Sequence, residues 1–316
     1  MKKGIMFILS VLLVFTLAAC GNNDKNSKEN SNGGDKKLKI GISYQNLQNE
    51  FVINIQNAVR EKAKELNIDL IENDGQGKAE NQISQVENFI TQGVDAIILN
   101  PYDKNGAAPA VDLAVAANIP IVVVNAQVSN LEKATAYSGS DDIVAGQLEA
   151  QYVMDQIGGK GNVVIIHGPN GNSAEISRTE GNKEVLSKYP DVKILAEQTA
   201  NWDRAQALSL MENWLQSYSD INAVIAQNDE MALGAYKAIE AAGKQDEIIV
   251  VGIDAIPDAL KSVEEGKMAA TVFQDAKGQG SQALELAIKA ANGETVEHIN
   301  YIPFLLVTKE NVNDFK

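Results

Sequence analysis

The chain has 316 residues, with 27 Lys and Arg against 42 Asp and Glu, for a formal charge of −15. That balance argues against nucleic acid or an anionic membrane surface as the main partner, because phosphate binding needs clustered cations. One cysteine and two histidines exclude an internal disulfide. They also leave too few ligands for a multi-Cys/His zinc site or a Cys–His nucleophile pair. The length allows one large or two medium domains, each able to bury a core.

Residues 1–20 begin with Lys2 and Lys3, continue in an apolar run from Ile5 to Leu17, and end in small residues before Cys20. The run is shorter than the roughly 20 residues of a membrane span and fits the apolar region of a signal peptide. Leu17-Ala18-Ala19-Cys20 resembles the lipobox of bacterial lipoproteins. That resemblance implies cleavage before Cys20 and lipidation of its thiol; a plain signal peptide or a buried thiol is the alternative. Residues 21–37 hold no apolar anchor and carry four Lys and three acids. They are expected to be a flexible tether. Lipid, tether and acidic body together place the protein outside the cytoplasm, at a membrane it does not span.

From Leu38 onward, short apolar runs alternate with segments of helical period. Strands are expected at residues 38–43, 69–72, 96–99, 121–125, 136–138, 162–167, 193–199, 223–226, 248–253 and 269–272. Helices are expected at residues 51–66, 207–215, 231–242 and 278–291. In the first of these, Phe51, Ile55, Ala58, Val59, Ala63 and Leu66 share a face. A final apolar run covers residues 301–307. Alternating β and α units predict parallel sheets covered on both faces. Ten or more strands exceed a comfortable single sheet, so two lobes are expected.

In open α/β sheets, ligands bind beyond the carboxyl ends of the strands. Those positions hold Asn46, Asn49 and Phe51 after the first strand, Asn125 at the end of the fourth, and Asn172 with Arg178 after the sixth. Asn201, Trp202 and Asp203 follow the seventh, Gln227, Asn228 and Asp229 the eighth, Asp254 the ninth and Gln274 the tenth. The set lacks a His beside a Ser or Cys nucleophile, and it lacks a P-loop. Amides, carboxylates and a guanidinium pair with vicinal hydroxyls. Aromatic faces suit the apolar flats of a sugar ring. The pattern reads as a polyol site.

The run Gln227-Asn228-Asp229-Glu230-Met231-Ala232-Leu233-Gly234-Ala235, followed by Val250-Val251-Gly252-Ile253-Asp254, resembles the type I periplasmic sugar-binding proteins, above all the ribose and galactose binders of ABC transporters. The likeness covers essentially all of residues 38–316. It implies two Rossmann-like αβα lobes with parallel sheets, joined by a three-strand hinge and closing on a monosaccharide. The expected division is 38–140 with 275–303 for the N-terminal lobe, and 141–274 with 304–316 for the C-terminal lobe. The ligand set it implies is Asn49, Phe51, Asn125, Arg178, Trp202, Asn228, Asp254 and Gln274.

Two departures bear on the ligand. Asn125-Ala126 stands where the ribose binders carry Asp-Arg, and an Asn there, like the run from Asn201 to Ala207, is closer to the galactose/glucose binders. Those carry a His near Asn172 and a calcium loop, neither of which this sequence has, so no calcium and no cofactor are expected. The candidate ligands are ribose, galactose or glucose, and inositol. The implied partners are an ABC permease, the membrane through Cys20 and no nucleic acid, with a monomeric, non-enzymatic body.

Five of the site residues have a competing structural role. Asp254 could cap the helix opening at Pro257 and Asn228 the helix at 230–242, although Asp229 is the better candidate for that cap. Phe51 could be core, as Trp214 is expected to be, and Arg178 could pair with Glu175 or Glu180. Gln274 could be a routine edge residue. Tyr44 and Glu175 are possible rim contacts, while His167 and His298 are assigned no role. A sugar sensor presenting its closed form to a membrane kinase or chemoreceptor is the alternative function. A glycosidase needs two placed carboxylates, of which only Asp254 is in position. A transcriptional regulator would need a DNA-binding helix pair where the leader stands.

Overall fold

The structure, a computed structural model, describes residues 37–316. The leader, Cys20 and residues 21–36 lie outside the described residues. Twelve strands among them form two sheets of six.

The first sheet contains β1 (Lys39–Tyr44), β2 (Asp69–Asp74), β3 (Ala96–Leu99), β4 (Ile121–Asn125) and β5 (Ala136–Gly139). Its flanking helices are α1 (Glu50–Glu65), α2 (Ala79–Thr91) and α3 (Ala108–Ala116). The second sheet contains β6 (Lys160–His167), β7 (Asp191–Thr199), β8 (Ala223–Ala226), β9 (Ile249–Asp254) and β10 (Ala270–Phe273). It is flanked by α4 (Asp142–Ile157), α5 (Ser173–Leu186), α6 (Arg204–Ser217), α7 (Asp229–Ala241) and α8 (Pro257–Glu264). The chain then returns through α9 (Ala276–Ala291) to β11 (Ile299–Tyr301) beside β5, and ends with β12 (Leu305–Thr308) beside β10. The strand orders are β11-β5-β4-β3-β1-β2 and β12-β10-β9-β8-β6-β7.

The central strands are apolar on both faces because both faces are covered. Ala96 and Ile98 of β3 join Val122 and Val124 against α1 and α9, while Ile97 and Leu99 join Ile121 and Val123 against α2 and α3. The second sheet divides the same way, with Val164, Ile166 and Val224 facing α6 and α7, and Val163, Ile165 and Ile225 facing α4 and α5. Each such fully buried aliphatic side chain contributes about 1.5–3 kcal/mol.

The final apolar run holds two strands: Ile302-Pro303-Phe304 separates β11, in the first sheet, from β12, in the second. Pro303 has no N–H for a ladder, which breaks the strand at the crossing. β12 is also antiparallel to β10, the one antiparallel pairing in sheets otherwise parallel. The chain passes between the sheets three times, between β5 and α4, between β10 and α9, and between β11 and β12.

Helices α4 and α5 touch backbone to backbone. A side-chain carbon at Gly146 would collide with the carbonyl of Arg178, and one at Gly181 with the carbonyl of Ile143. This contact sets Arg178 of α5 against Asp142 at the start of α4.

Candidate functional site

All eight residues singled out from the sequence, Asn49, Phe51, Asn125, Arg178, Trp202, Asn228, Asp254 and Gln274, line one cavity between the carboxyl ends of the two sheets. Its empty volume is about 310 Å³. Gln45, Asn172 and Ala174 complete the lining. Gln45 and Asn172 stand at strand ends like the others. No local signal ranked them above neighbouring amides.

Three lining residues hold uncommon backbone conformations: Asn125 at φ 66°, Trp202 at φ 61° and Asp254 at φ 125°. Non-glycine residues at positive φ cost about 1–3 kcal/mol each and collect at functional sites. Here they turn the chain sharply as it leaves β4, β7 and β9, so that side chains point into the cavity rather than along the sheet.

Arg178 is buried, and its competing surface pairings do not occur. Its Nε donates to Asp142 Oδ1 at 2.9 Å, Nη1 to the carbonyl of Gln227 at 2.5 Å and Nη2 to Gln274 Oε1 at 3.0 Å. A guanidinium has five N–H protons, so two remain for a guest. The Trp202 ring lies 5.6 Å from the guanidinium carbon and the Phe304 ring 5.9 Å. Trp202 lies close over Gly168, where a methyl group would overlap the indole. Phe51 serves both its readings: it is packed in the core of the first lobe and also lines the cavity. Trp214 is core.

The amides are oriented by their oxygens. Asn228 caps α7, its Oδ1 accepting from the Met231 N–H at 2.9 Å, while its buried Nδ2 has no partner among the described residues. Gln274 accepts from Arg178 through Oε1, and its buried Nε2 likewise has no partner among them. An unpaired buried donor costs about 1–3 kcal/mol, so these two N–H₂ groups are poised for acceptors that a guest supplies. Asn49 caps α1 through Val52 N–H at 3.3 Å. Asn125 is held by Asn100 at 3.4 Å and Gln279 at 3.2 Å.

Asp254 does not cap α8, whose cap residue is Ile256. No hydrogen bond from a described residue reaches its carboxylate. Burial raises its pKa well above the carboxylate range, and Asp229, Asp142 and Glu230 add to this while Arg178 opposes it. Asp229 is likewise not the cap of α7. Its buried carboxyl accepts from Thr271 at 2.7 Å and from the Ile256 N–H at 3.0 Å, tying the loop after β9 to β10. Tyr44 is not a rim contact either. It is fully buried and donates to Glu72 at 3.0 Å. Glu175 turns away to His167, 3.4 Å off, and to Thr179.

The lining thus offers fixed donors, one carboxylate, one guanidinium and two aromatic faces. Glycoside hydrolysis uses two carboxylates, and the lining carries one. Among the described residues no group of three or more His, Cys, Asp or Glu is placed to hold a metal ion, and no helix is long and apolar enough to cross a membrane.

Residues 40–295 match the periplasmic binding protein domain. The chain belongs to the type I periplasmic sugar-binding proteins. Among relatives of this periplasmic binding protein, the xylitol-binding protein of Mycolicibacterium smegmatis is 37% identical over 94% of this chain and 83% of its own. The ribose import binding protein of Bacillus subtilis is 35% identical over 98% of this chain and 100% of its own. A solute-binding protein of an ABC transporter from Bacillus halodurans, solved with bound myo-inositol, is 44% identical. It superimposes with a TM-score of 0.86 over 88% of this chain and 97% of its own. The sugar-binding resemblance read from the sequence therefore holds for the family and the fold.

Proposed function

We propose that this periplasmic binding protein captures a monosaccharide or polyol in the cavity between its lobes and delivers it to an ABC importer. Asn49, Phe51, Asn125, Arg178, Trp202, Asn228, Asp254 and Gln274 are the ligand contacts of this reading, and Cys20 is its lipid attachment point on the outer face of the cell membrane. The observation that carries it is the pair of buried N–H₂ groups on Asn228 and Gln274, each held by its own oxygen and each without a partner among the described residues. A hydroxyl is the group that can accept from such donors and still donate its proton to Asp254.

Capture follows from closure. Contacts made only when both lobes surround the guest drive the closed state. In the closed cavity each mismatched hydroxyl leaves a buried group unpaired at about 1–3 kcal/mol, which separates epimers. Trp202 and Phe51 supply apolar faces for the flats of the ring.

Myo-inositol is the first probe, since the Bacillus halodurans relative was solved with it. A thermal-shift panel of myo-inositol, D-ribose, D-galactose, D-glucose and xylitol tests the reading. A bound sugar at a hundred times its dissociation constant adds about 2.7 kcal/mol, a shift of several degrees. No shift from any member of the panel refutes it. Incorporation of labelled palmitate, lost in Cys20→Ser, tests the anchor.

A further inference from the structure

Asn172 lines the cavity, yet its amide is engaged entirely by protein. Its Oδ1 accepts from the Ala174 N–H at 3.0 Å, capping α5. Its Nδ2 donates to the carbonyl of Tyr102 at 2.8 Å and to Gln45 Oε1 at 3.3 Å. Asn172 belongs to the loop after β6 in the second sheet, whereas Tyr102 follows β3 and Gln45 follows β1 in the first. These two bonds therefore cross the cleft.

They are not alone. The residues on either side of Asn172 make the same crossing. The Lys104 N–H donates to the Gly171 carbonyl at 2.8 Å, and the Gln127 N–H donates to Ser173 Oγ at 2.6 Å. Gly171 sits at φ 91°, and a side-chain carbon there would overlap the Asp103 carboxylate, so only glycine lets the two loops meet. The first-lobe partners are themselves held from behind. Gln82 accepts from the Tyr102 N–H at 2.9 Å, and Asn100 accepts from the Gln45 N–H at 3.3 Å. Four lobe-to-lobe hydrogen bonds thus fall on three consecutive residues. None uses the cavity-facing donors of Asn228, Gln274 or Arg178.

We propose that Gly171, Asn172 and Ser173 form a latch that holds the lobes closed, and that Asn172 is a positioning residue rather than a ligand contact. The latch sets the fraction of closed protein, and apparent affinity scales with that fraction whatever the guest. Weakening it lowers the affinity for every ligand by one common factor, whereas losing a ligand contact changes the ranking of ligands. The effect on affinity rests on the sugar-capture reading; the effect on the lobes does not.

Asn172→Asp is the discriminating variant. It keeps the oxygen that caps α5 and replaces the nitrogen carrying both donors by a single carboxylate oxygen that faces two acceptors. Ser173→Ala, which removes a single latch bond, is the milder second variant. Spin labels at the exposed positions Glu80 in the first lobe and Lys188 in the second report lobe separation by electron–electron resonance in ligand-free protein. Titration calorimetry with myo-inositol and D-ribose reports affinity. The expected result is a closed component in the wild-type distance distribution that Asn172→Asp depletes and Ser173→Ala reduces. Asn172→Asp should also weaken both sugars about 30-fold, for two neutral hydrogen bonds of ordinary strength, with their affinity ratio unchanged and dissociation faster. A changed ratio, or a distance distribution that the variants leave unaltered, overturns the latch. If neither sugar binds the wild type, the capture reading is at fault and the distance measurement alone decides.

Discussion

Replacing Asp254 with Asn removes a titratable carboxyl from the cavity and keeps the outline of the side chain. Asn is preferred to Ala because it keeps the native outline at a backbone of φ 125°, a conformation strained for any L side chain. On the binding side, a carboxylate that accepts from two ligand hydroxyls makes two charge-assisted bonds of about 1.5–3 kcal/mol each. The amide keeps one acceptor and turns the other into a donor. A loss of about 3 kcal/mol, close to a hundredfold in Kd, is expected.

Stability should move the other way. The Asp254 carboxylate receives no hydrogen bond from a described residue, and burial raises its pKa, helped by Asp229, Asp142 and Glu230 and opposed by Arg178. With the native pKa above the unfolded one, the native state binds more protons between the two values. Ionisation therefore costs stability as pH rises through that window. An amide at this position does not ionise, so the substitution abolishes the cost. Ligand-free Asp254→Asn should melt no lower than the wild type at neutral pH, and its melting temperature should depend less on pH above the ordinary carboxylate range. Calorimetric melting from roughly pH 4 to 8, with titration of myo-inositol, reads both effects. Unchanged affinity, or a ligand-free variant that melts several degrees lower, refutes the reasoning.

Glu149 on α4 is fully buried, accepts from Asn182 at 2.8 Å through one oxygen, and has its pKa raised to about 8 by burial. The native state there binds more protons than the unfolded chain between the ordinary glutamate value and about 8. Glu149→Gln should flatten the fall in melting temperature across that window, and an unaltered slope counts against it. Gly181→Val drives a side chain into the Ile143 carbonyl. It should destabilise the fold by about 1–3 kcal/mol and weaken sugar binding by displacing Arg178; normal melting and normal affinity together would show that α4 and α5 need no such contact. Trp202 lines the cavity while Trp214 is core. A ligand-induced change in tryptophan emission should survive Trp214→Phe and vanish in Trp202→Phe, and the reverse result would move the stacking face elsewhere.

Much of the architecture was legible because its causes are local. The apolar tetrapeptides at 96–99 and 223–226 are strands over the residues expected, and the helical period after Phe51 buries Phe51, Ile55, Ala58, Val59 and Ala63, whereas Leu66, expected on the same face, caps the helix end and is exposed. Parallel βα units put each strand's carboxyl end on one side of a sheet, so the polar residues after the strands collect without any knowledge of contacts. That is why eight residues spread over 226 positions of chain, from Asn49 to Gln274, reach one cavity. Apolarity along residues 301–307 does not record which sheet each residue joins; Pro303 marks the break between them.

What the chain order could not decide was which polar atom each side chain keeps for a guest. Asn228 and Asp229 are adjacent, both are capping residue types, and Asp229 was the one expected to cap α7. Only the position of Thr271 and the Ile256 N–H draws Asp229 inward and leaves the cap to Asn228. Asn172 and Asn228 both cap helices at strand ends, yet one faces Tyr102 and Gln45 across the cleft and the other faces the cavity. Residue type and spacing therefore determined the fold and the gathering of these residues at one cavity, since both follow from periodicity and strand direction. Tertiary structure alone decided which amide nitrogen bonds the opposite lobe and which is left facing the cavity, because a hydrogen bond is directional and its partner lies far away in sequence.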